Sequence, residues 1–463
     1  MRDGSTDKLH CASFSKFESH NNVRIISLGC PKNLIDSEVM GGLLTRSGYQ
    51  LVEENQPADI VVINTCAFIN PAKEEAIEEI LTVAEEKKHH PDMRIVVAGC
   101  LAQRYGRELF TAMPEVDLFI GTGEVGNIAN HIKKFRRPKI MRNTVITKPD
   151  FLMTHKHQRI LPIAPASAYL KISDGCSNRC AYCVIPSIRG AARSRQPDDI
   201  LREAQTLAKR GIREIIITAQ DTTNYGRDLK GRPRLASLLN DLTKVRGIQW
   251  IRLLYAHPAR VSADLLKTIA SSEKICRYID LPIQHIDDDI LQAMNRKVTG
   301  AKIRQVIDQA RKIVPDVALR TSLIVGFPGE TPTRFNRLTD FVREIKFDHL
   351  GVFTYSKEEG TVAADFKHHV PEKEKERRRE IIMREQAEIS AAINKTLIGS
   401  IQDVLIAEKS DRDDYSYIGR CRRQAPEIDG VTYVKKSNAP IGSIVKCKIT
   451  GADEYDLFCT PIR

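Results

Sequence analysis

The chain reads as an α/β protein in three parts: an N-terminal doubly wound parallel sheet, a central partial (β/α)6 barrel and a small C-terminal β-barrel. Three observations carry that expectation. Short unbroken apolar runs alternate with segments of helical periodicity from Asn22 to about Ile120, the pattern of strands covered on both faces by helices. Six further strand–helix units follow between Ala168 and Phe353, too few to close the eightfold barrel. Beyond Pro371 one charged helix leads into short apolar runs separated by turn residues, which suits a small β-barrel. The expected boundaries are a disordered tail over 1–21, a first domain over 22–138, a basic linker over 139–161, a central domain over 162–395 and a last domain over 396–463.

Composition narrows the class. The 463 residues leave room for several cores, and 42% hydrophobic with 28% charged residues is an ordinary globular balance. No apolar run approaches the ~20 residues needed to cross a bilayer, so no membrane partner is expected. The polar first residues lack the apolar core of an export signal. That points to the cytoplasm, where thiols stay reduced and available to metals. The net charge of +12 suggests an acidic partner such as nucleic acid. The surplus is concentrated: fourteen Lys or Arg stand between His131 and Gln196 against Asp150 and Asp174 alone. Lys133 to Arg137 suits a solvated linker. The longer stretch, through Arg189, Arg193 and Arg195, reads as a basic collar steering an anionic assembly towards the site.

In the first domain, Val23–Leu28 is a strand ended by Gly29-Cys30-Pro31. A helix follows, with Leu34, Val39, Leu43 and Leu44 as its expected buried face and Gly48 as its stop. Asp59–Asn64 is the next strand, ended by Thr65-Cys66. Pro71 opens a helix to about Lys88, where its missing donor costs nothing. Arg94–Ala98, ended by Gly99-Cys100, and Val116–Ile120 complete the set. Cys30, Cys66 and Cys100 thus each lie just past a strand. In an open parallel sheet those ends share one edge, where ligands bind. A lone cysteine there is usually a small buried hydrophobe; three in one topological position read as a cluster site.

The central strands are expected at Ala168–Ile172, Glu214–Ile217, Gln249–Leu253, Tyr278–Leu281, Val317–Val325 and Leu350–Phe353, with helices over Pro197–Lys209, Ser262–Ser271 and Thr331–Ile345. Ser262 is a plausible N-cap. After the first strand comes Cys176-Ser177-Asn178-Arg179-Cys180-Ala181-Tyr182-Cys183, three cysteines in a C-x-x-x-C-x-x-C spacing. A four-iron cluster normally takes four cysteines, so three leave one iron open, the condition of a catalytic metal site. A zinc knuckle would need a histidine, and none lies between Ser167 and Arg195; a disulfide suits neither the count nor the compartment. Other strand ends are marked by Gln220-Asp221-Thr222, by Pro282-Ile283-Gln284-His285 and by Gly326-Phe327-Pro328-Gly329-Glu330. Each is weak alone: His285 suits a satisfied core histidine, and Glu330 a charge favoured at a helix start. Together on one barrel face they suggest a cofactor pocket.

A helix is expected over Glu372–Leu397, then strands at Val404–Ala407, Val431–Val434, Ser443–Ile449 and Tyr455–Cys459. Ten basic and ten acidic residues from Thr396 onward argue against gripping a phosphate backbone by charge. Cys421, Cys447 and Cys459 read as packing residues.

The cysteine loop, with Tyr182 before its last cysteine, resembles the radical S-adenosylmethionine (SAM) enzymes. The three modules in this order resemble the methylthiotransferases, from about Val23 to the C-terminus. Ser27-Leu28-Gly29-Cys30-Pro31-Lys32-Asn33-Leu34-Ile35-Asp36-Ser37-Glu38, Leu319 to Gly326 and Ala425-Pro426-Glu427-Ile428-Asp429-Gly430 resemble the branch acting on ribosomal protein S twelve. The tRNA-modifying branch typically has Gln-Met after that first cysteine and an aspartate in place of Ser322. His257, Val362 and Cys421 depart from the common pattern.

The resemblance implies two 4Fe-4S clusters, held by Cys176, Cys180 and Cys183 and by Cys30, Cys66 and Cys100. It implies a SAM pocket shaped by Tyr182, Gln220, Arg320, Gly326, Gly329 and Glu330. The implied reaction is methylthio transfer to the β-carbon of an aspartate of ribosomal protein S twelve, free or within the small ribosomal subunit. An external electron donor and sulfur source, a monomeric state and a TRAM-like last domain follow. The alternatives are a tRNA adenosine 2-methylthiotransferase and, more remotely, a non-catalytic iron-sulfur RNA-binding protein.

Overall fold

A computed structural model of the chain describes residues 21–135, 142–161 and 166–462. The expected tail lies outside the described residues apart from Asn21, as do Arg136 to Pro138 of the basic run.

The first domain contains β1 (Asn22–Ser27), α1 (Pro31–Arg46), β2 (Gln50–Leu51), β3 (Ile60–Thr65), α2 (Asn70–His89), β4 (Arg94–Gly99), α3 (Cys100–Ala112), β5 (Leu118–Ile120), α4 (Ile128–Phe135) and β6 (Asn143–Val145). The strands form one sheet in the order β2-β1-β3-β4-β5-β6, parallel throughout. Ile60 to Ile63 and Ile95 to Ala98 are buried on both faces, which explains their unbroken apolar runs. Proline stands in the first turn of α1 and α2, and Gly48 takes φ +88° just past α1, as a helix stop requires.

Two expectations change. The single buried face assigned to α1 is wrong: Leu34 and Leu43 are only half-buried, while Lys32, Asn33, Asp36, Ser37 and Glu38 are buried. The helix is enclosed on several sides because it packs between its own sheet and β-strand residues of the central domain such as Tyr169 and Trp250. The segment expected as a linker over 139–161 supplies β6 to the sheet. A three-residue polar strand leaves no apolar period to read.

The central domain contains β7 (Ser167–Lys171), β8 (Ser173–Asp174), α5 (Ile185–Arg189), β9 (Arg193–Ser194), α6 (Pro197–Lys209), β10 (Glu214–Thr218), α7 (Leu235–Thr243), β11 (Trp250–Leu253), α8 (Ala263–Ser271), β12 (Tyr278–Asp280), α9 (Asp288–Ala293), α10 (Gly300–Ile313), β13 (Ala318–Val325), α11 (Pro332–Ile345), β14 (His349–Thr354) and α12 (Glu372–Thr396). Parallel ladders join β7, β10 and β11, and join β12, β13 and β14. A bridge from Ile251 to Ile275 links the two halves. The result is the expected open barrel of six strands. Ser262 caps α8 by accepting from the Leu265 N–H at 3.2 Å, and Thr331 caps α11 in the same way. The outer face of the strands packs on the helices in one continuous core, including Leu170, Ile215, Ile217, Ile251, Leu319 and Leu323.

The last domain is a closed barrel of β15 (Ile401–Lys409), β16 (Tyr417–Cys421), β17 (Thr432–Val434), β18 (Ile444–Ala452) and β19 (Leu457–Pro461). β16 has no counterpart among the expected strands because Gly419 and Arg420 interrupt its apolar run. Gly419 is required there: a Cβ would stand 2.5 Å from the Leu405 carbonyl. Cys421, Cys447 and Cys459 are buried in the barrel core.

This barrel closes the strand-start end of the central domain. Arg420 reaches Ser167 and Glu214, Arg422 lies over the Trp250 ring, Tyr278 donates to Asp429, and His349 contacts the Arg423 carbonyl. These partners are the first residues of β7, β10, β11, β12 and β14. Of the Ala425–Gly430 segment, which carries part of the branch resemblance, Ala425 is fully buried and Asp429 accepts from Tyr278 at this interface, while Glu427 and Ile428 are exposed.

Candidate active site: two cysteine triads

The N-terminal triad is assembled by neighbouring strands. Ser27 pairs with Asn64 and Thr65 with Gly99, so β1, β3 and β4 end at nearly one level. The order β2-β1-β3 makes the chain switch direction between β1 and β3, where such sheets bind ligands. Cys30, Cys66 and Cys100 follow those ends, Cys30 immediately before α1 and Cys100 as the first residue of α3. Asn33 donates to the carbonyls of Leu28 and Thr65, and Asn64 donates to the Asn33 carbonyl at 2.8 Å. These bonds lock the start of α1 onto both strand ends. Gly29 has φ +89°, and a Cβ there would lie 2.6 Å from Cys66 Cβ. The backbone of one cysteine segment thus touches the side chain of the next.

The second triad sits on the loop after β7. β8 and β9 pair antiparallel beneath it, and the Cys176 N–H donates to the Gly190 carbonyl at 3.0 Å. Gly175 has φ +79°, and a Cβ would meet the Ala191 carbonyl at 2.3 Å. Asn178 and Arg260 both bond Asp221 at the end of β10, and Arg260 also bonds Asn178 at 2.6 Å. Ala181 donates to the Met294 carbonyl, and Asn295 to the Arg179 carbonyl. Arg296 then lies 3.7 Å from Cys180 Sγ. Tyr182 packs against Ala181, Met294, Phe327 and Tyr355.

One buried ion network joins the triads. Lys171 bonds Asp36 at 2.5 Å and Asp174 at 3.1 Å. Arg189 bonds Asp36, Asn33 and Asp174, and its Nη2 lies 3.5 Å from Cys100 Sγ. Gln220 donates to Asp174 at 2.9 Å, while its carbonyl oxygen is buried without a partner. A second set pairs Arg159 with Glu38 and Glu203, and Arg195 with Glu203 and Asp199. Four members of the basic collar turn inward: Arg159, Lys171, Arg189 and Arg195 are buried and matched by carboxylates, whereas Lys133, Lys134, Lys148, Lys156 and Arg179 are exposed. Buried charges must be paired, so these four steer nothing. Of these carboxylates only Asp174 lies within the basic stretch; Asp36, Glu38, Asp199 and Glu203 lie outside it, so no charge count of that stretch reveals the pairing.

The remaining cofactor candidates divide. Gly326, Gly329 and Glu330 form one self-contained turn: Glu330 accepts from the Gly326 N–H at 2.9 Å and from Arg378 at 2.7 Å. The close approach that Gly326 permits is to the Lys375 side chain, 2.3 Å from an added Cβ. Glu330 is thus a buried anchor for α12 rather than a charge at a helix start. Arg320 points into the barrel and pairs with Asp280 at 3.0 Å and Asp429 at 3.4 Å. It stands nearer the last domain than the cysteines. His285 is a buried core histidine that accepts from the Asp287 N–H, but it is not fully satisfied: its Nε2 is buried without a hydrogen-bond partner, 3.6 Å from Glu330. Asp174, Arg189, Asp36 and Arg296 went unrecognised as site residues. Arg189 carried a faint signal, following the triad directly; Arg296, 116 positions from Cys180, carried none.

The electrostatics suit anionic clusters. Burial raises Cys66 to about 12, with Cys100 and Cys30 adding repulsion. Burial likewise raises Cys100, Cys176 and, to about 12, Cys183. Cys30 falls below its ordinary value although burial opposes it, because Lys32, Arg189 and two backbone N–H groups favour the thiolate. Three thiolates on one four-iron core carry a net negative charge, and each triad has one buried guanidinium at a sulfur to offset it. Among the described residues no group of three or more His, Cys, Asp or Glu is arranged to hold a single metal ion. A cluster binds each thiolate through a different iron, so its sulfurs need not converge on one point.

Comparison with known proteins follows the same three parts. Residues 22–121 match the family described as uncharacterized protein family UPF0004, 170–342 the radical SAM superfamily and 398–462 the TRAM domain. In overall fold the chain is similar to the radical SAM methyltransferase TsrM from Kitasatospora setae, with TM-score 0.54 at 14% identity over 83% of this chain and 80% of that one. The cobalamin-dependent radical SAM enzyme OxsB gives 0.50 at 13% identity over 79% and 56%. Much nearer in sequence is the ribosomal protein uS12 methylthiotransferase RimO of Syntrophus aciditrophicus, 55% identical over 95% of this chain and 98% of the relative. The proteins of that name from Geobacter sulfurreducens and Clostridioides difficile are 47% and 44% identical, each over 94% of this chain and 97% of theirs. Such identity over nearly the full length of both partners means that this chain belongs to the RimO family of ribosomal protein uS12 methylthiotransferases.

Proposed function

We propose that the chain transfers a methylthio group to the β-carbon of an aspartate of ribosomal protein S twelve (uS12), using SAM and two four-iron clusters. Cys176, Cys180 and Cys183 hold one cluster; Cys30, Cys66 and Cys100 hold the other. The observation that carries this reading is the pair of triads, each at the strand-end edge of a parallel sheet, with Arg189 touching both Cys100 and Asp174. When bound, the clusters and SAM supply the radical and the sulfur-methyl unit.

The chain's own groups prepare the site. Arg189 and Arg296 offset thiolate charge at one sulfur of each triad. Asp174 fixes the amide of Gln220, leaving its free carbonyl as an acceptor for a cofactor donor. Tyr182, with Phe327 and Tyr355, excludes water from the loop. The Gly326–Glu330 turn holds the fifth strand end in shape. Arg320 acts from below: it holds Asp280, whose other oxygen accepts from the Tyr255 N–H at 2.9 Å, and Lys32 lies 3.7 Å over the Tyr255 ring.

No helix among the described residues is long and apolar enough to cross a membrane, and none of the ten described cysteines is in a disulfide. We place the protein in the cytoplasm as a monomer served by an external electron donor and sulfur source. Mass spectrometry of uS12 and of tRNA from a deletion strain tests the reading. Loss of a methylthio mass from uS12 alone is expected. Loss from tRNA instead would assign the tRNA reaction, and loss from neither, with no SAM cleavage by the purified protein, would leave an iron-sulfur binding protein.

A further inference from the structure

Arg189 links the two halves of the site. It is 3% exposed, follows the second triad on α5, and spends its guanidinium on the first domain rather than on its own loop. One nitrogen faces Asn33 and Cys100 Sγ; the other faces Asp36 and, at 3.4 Å, Asp174. Asn33 also ties Leu28 and Thr65, which flank Cys30 and Cys66. A single group is thus bonded to the frame of all three N-terminal cysteines and to the root of the other cysteine loop. The two carboxylates, with Lys171, hold it from behind, so the planar fork cannot swing away.

Hydrogen bonds and positive charge at a cluster's sulfurs favour its reduced, more negative form and so raise its potential. Lysine could keep the charge at this site but not the fork that bonds Asn33 and sulfur through one nitrogen and the carboxylates through the other. We propose that Arg189 is a positioning residue that tunes the potential of the Cys30/Cys66/Cys100 cluster and holds it in register with the radical SAM loop. The inference rests on the two-cluster reading above.

The test compares Arg189→Gln, Arg189→Lys and the parent, each reconstituted anaerobically with iron and sulfide. Iron analysis comes first, then redox titration followed by electron paramagnetic resonance. With Arg189→Gln, the N-terminal cluster should show at least a tenfold smaller reduced-to-oxidised ratio at fixed potential, about 59 mV more negative for a one-electron couple. The Cys176 cluster, whose sulfur faces Arg296, should titrate as in the parent. Arg189→Lys should recover part of the shift and not all of it.

If Arg189→Gln fails to load the first triad, Arg189→Lys carries the measurement alone, and coincidence with the parent at full iron content overturns the proposal. Equal potentials in all three fully loaded proteins do so too. A parent with about four irons per chain rather than about eight would instead refute the two-cluster reading itself.

Discussion

The network between the triads makes a quantitative prediction for Lys171. Its ammonium is fully buried and is the second of two cations against two carboxylates: Lys171 and Arg189 face Asp36 and Asp174. Lys171→Met keeps the chain length and apolar stem but leaves one buried carboxylate uncompensated. Removing one partner of such a set costs about 3–5 kcal/mol. For a unit the size of the central domain that corresponds to a melting temperature lower by roughly 6–20 °C. Adding Asp36→Asn restores the charge balance, leaving lost hydrogen bonds worth about 1 kcal/mol each. The double variant should therefore melt above Lys171→Met although it carries one more substitution. Thermal melts of the three proteins by circular dichroism decide the matter. The reasoning fails if Lys171→Met melts within 2 °C of the parent, or if the double variant melts no higher than the single one; the network would then be a surface-like ion cluster of little weight.

Other expectations follow from single contacts. Gly29→Ala forces a Cβ to 2.6 Å from Cys66 Cβ at φ +89°, a strain of about 1–3 kcal/mol, and should lower iron from about eight to about four per chain while deoxyadenosine formation persists. Cys180→Ala should abolish SAM cleavage, whereas Cys66→Ala should stop methylthio transfer and leave some cleavage; full transfer by the latter would overturn the division of labour. Glu214 is buried between Arg252 and Arg420, so Glu214→Ala strands two guanidinium groups and should cost about 3–5 kcal/mol. Limited proteolysis should then release the last barrel, and an unchanged digest would argue against that interface. Burial, helped by Arg296 and Arg260, lowers His257 to about 2. Its folded form therefore stays neutral while the unfolded chain takes up a proton below about pH 6.5. Stability from this group is complete above that pH and falls by about 1.4 kcal/mol per unit below it. His257→Gln should flatten the acid side of the melting curve relative to the parent; parallel curves would refute the assignment.

The difference between what was legible in the chain and what was not follows from the range of the forces involved. Strands such as Ile60–Thr65 and Ala318–Val325, the cap Ser262, and the cysteine spacing of the Cys176 loop are local, because burial on both faces, a cap hydrogen bond or a short ligand loop must be written in neighbouring residues. The meeting of Cys30, Cys66 and Cys100 was legible too, since parallel topology alone brings strand ends to one edge. Strand β16 and the short polar β6 were not, because barrel closure and sheet edge, rather than their own side chains, hold them extended. The charge pattern was misleading in one dimension: Arg159, Lys171, Arg189 and Arg195 look like a solvated collar until the fold supplies Asp36, Glu38, Asp174, Asp199 and Glu203 around them. Whether a charge faces water or a buried partner depends on contacts across more than a hundred positions of chain, as between Asp36 and Lys171. Sequence by itself determined the modules, their order and the thiol-bearing edges; only the tertiary structure decided that α1 is clasped between two sheets and that one guanidinium bridges Cys100 and Asp174, because buried ion pairs are set by packing and not by neighbours in the chain.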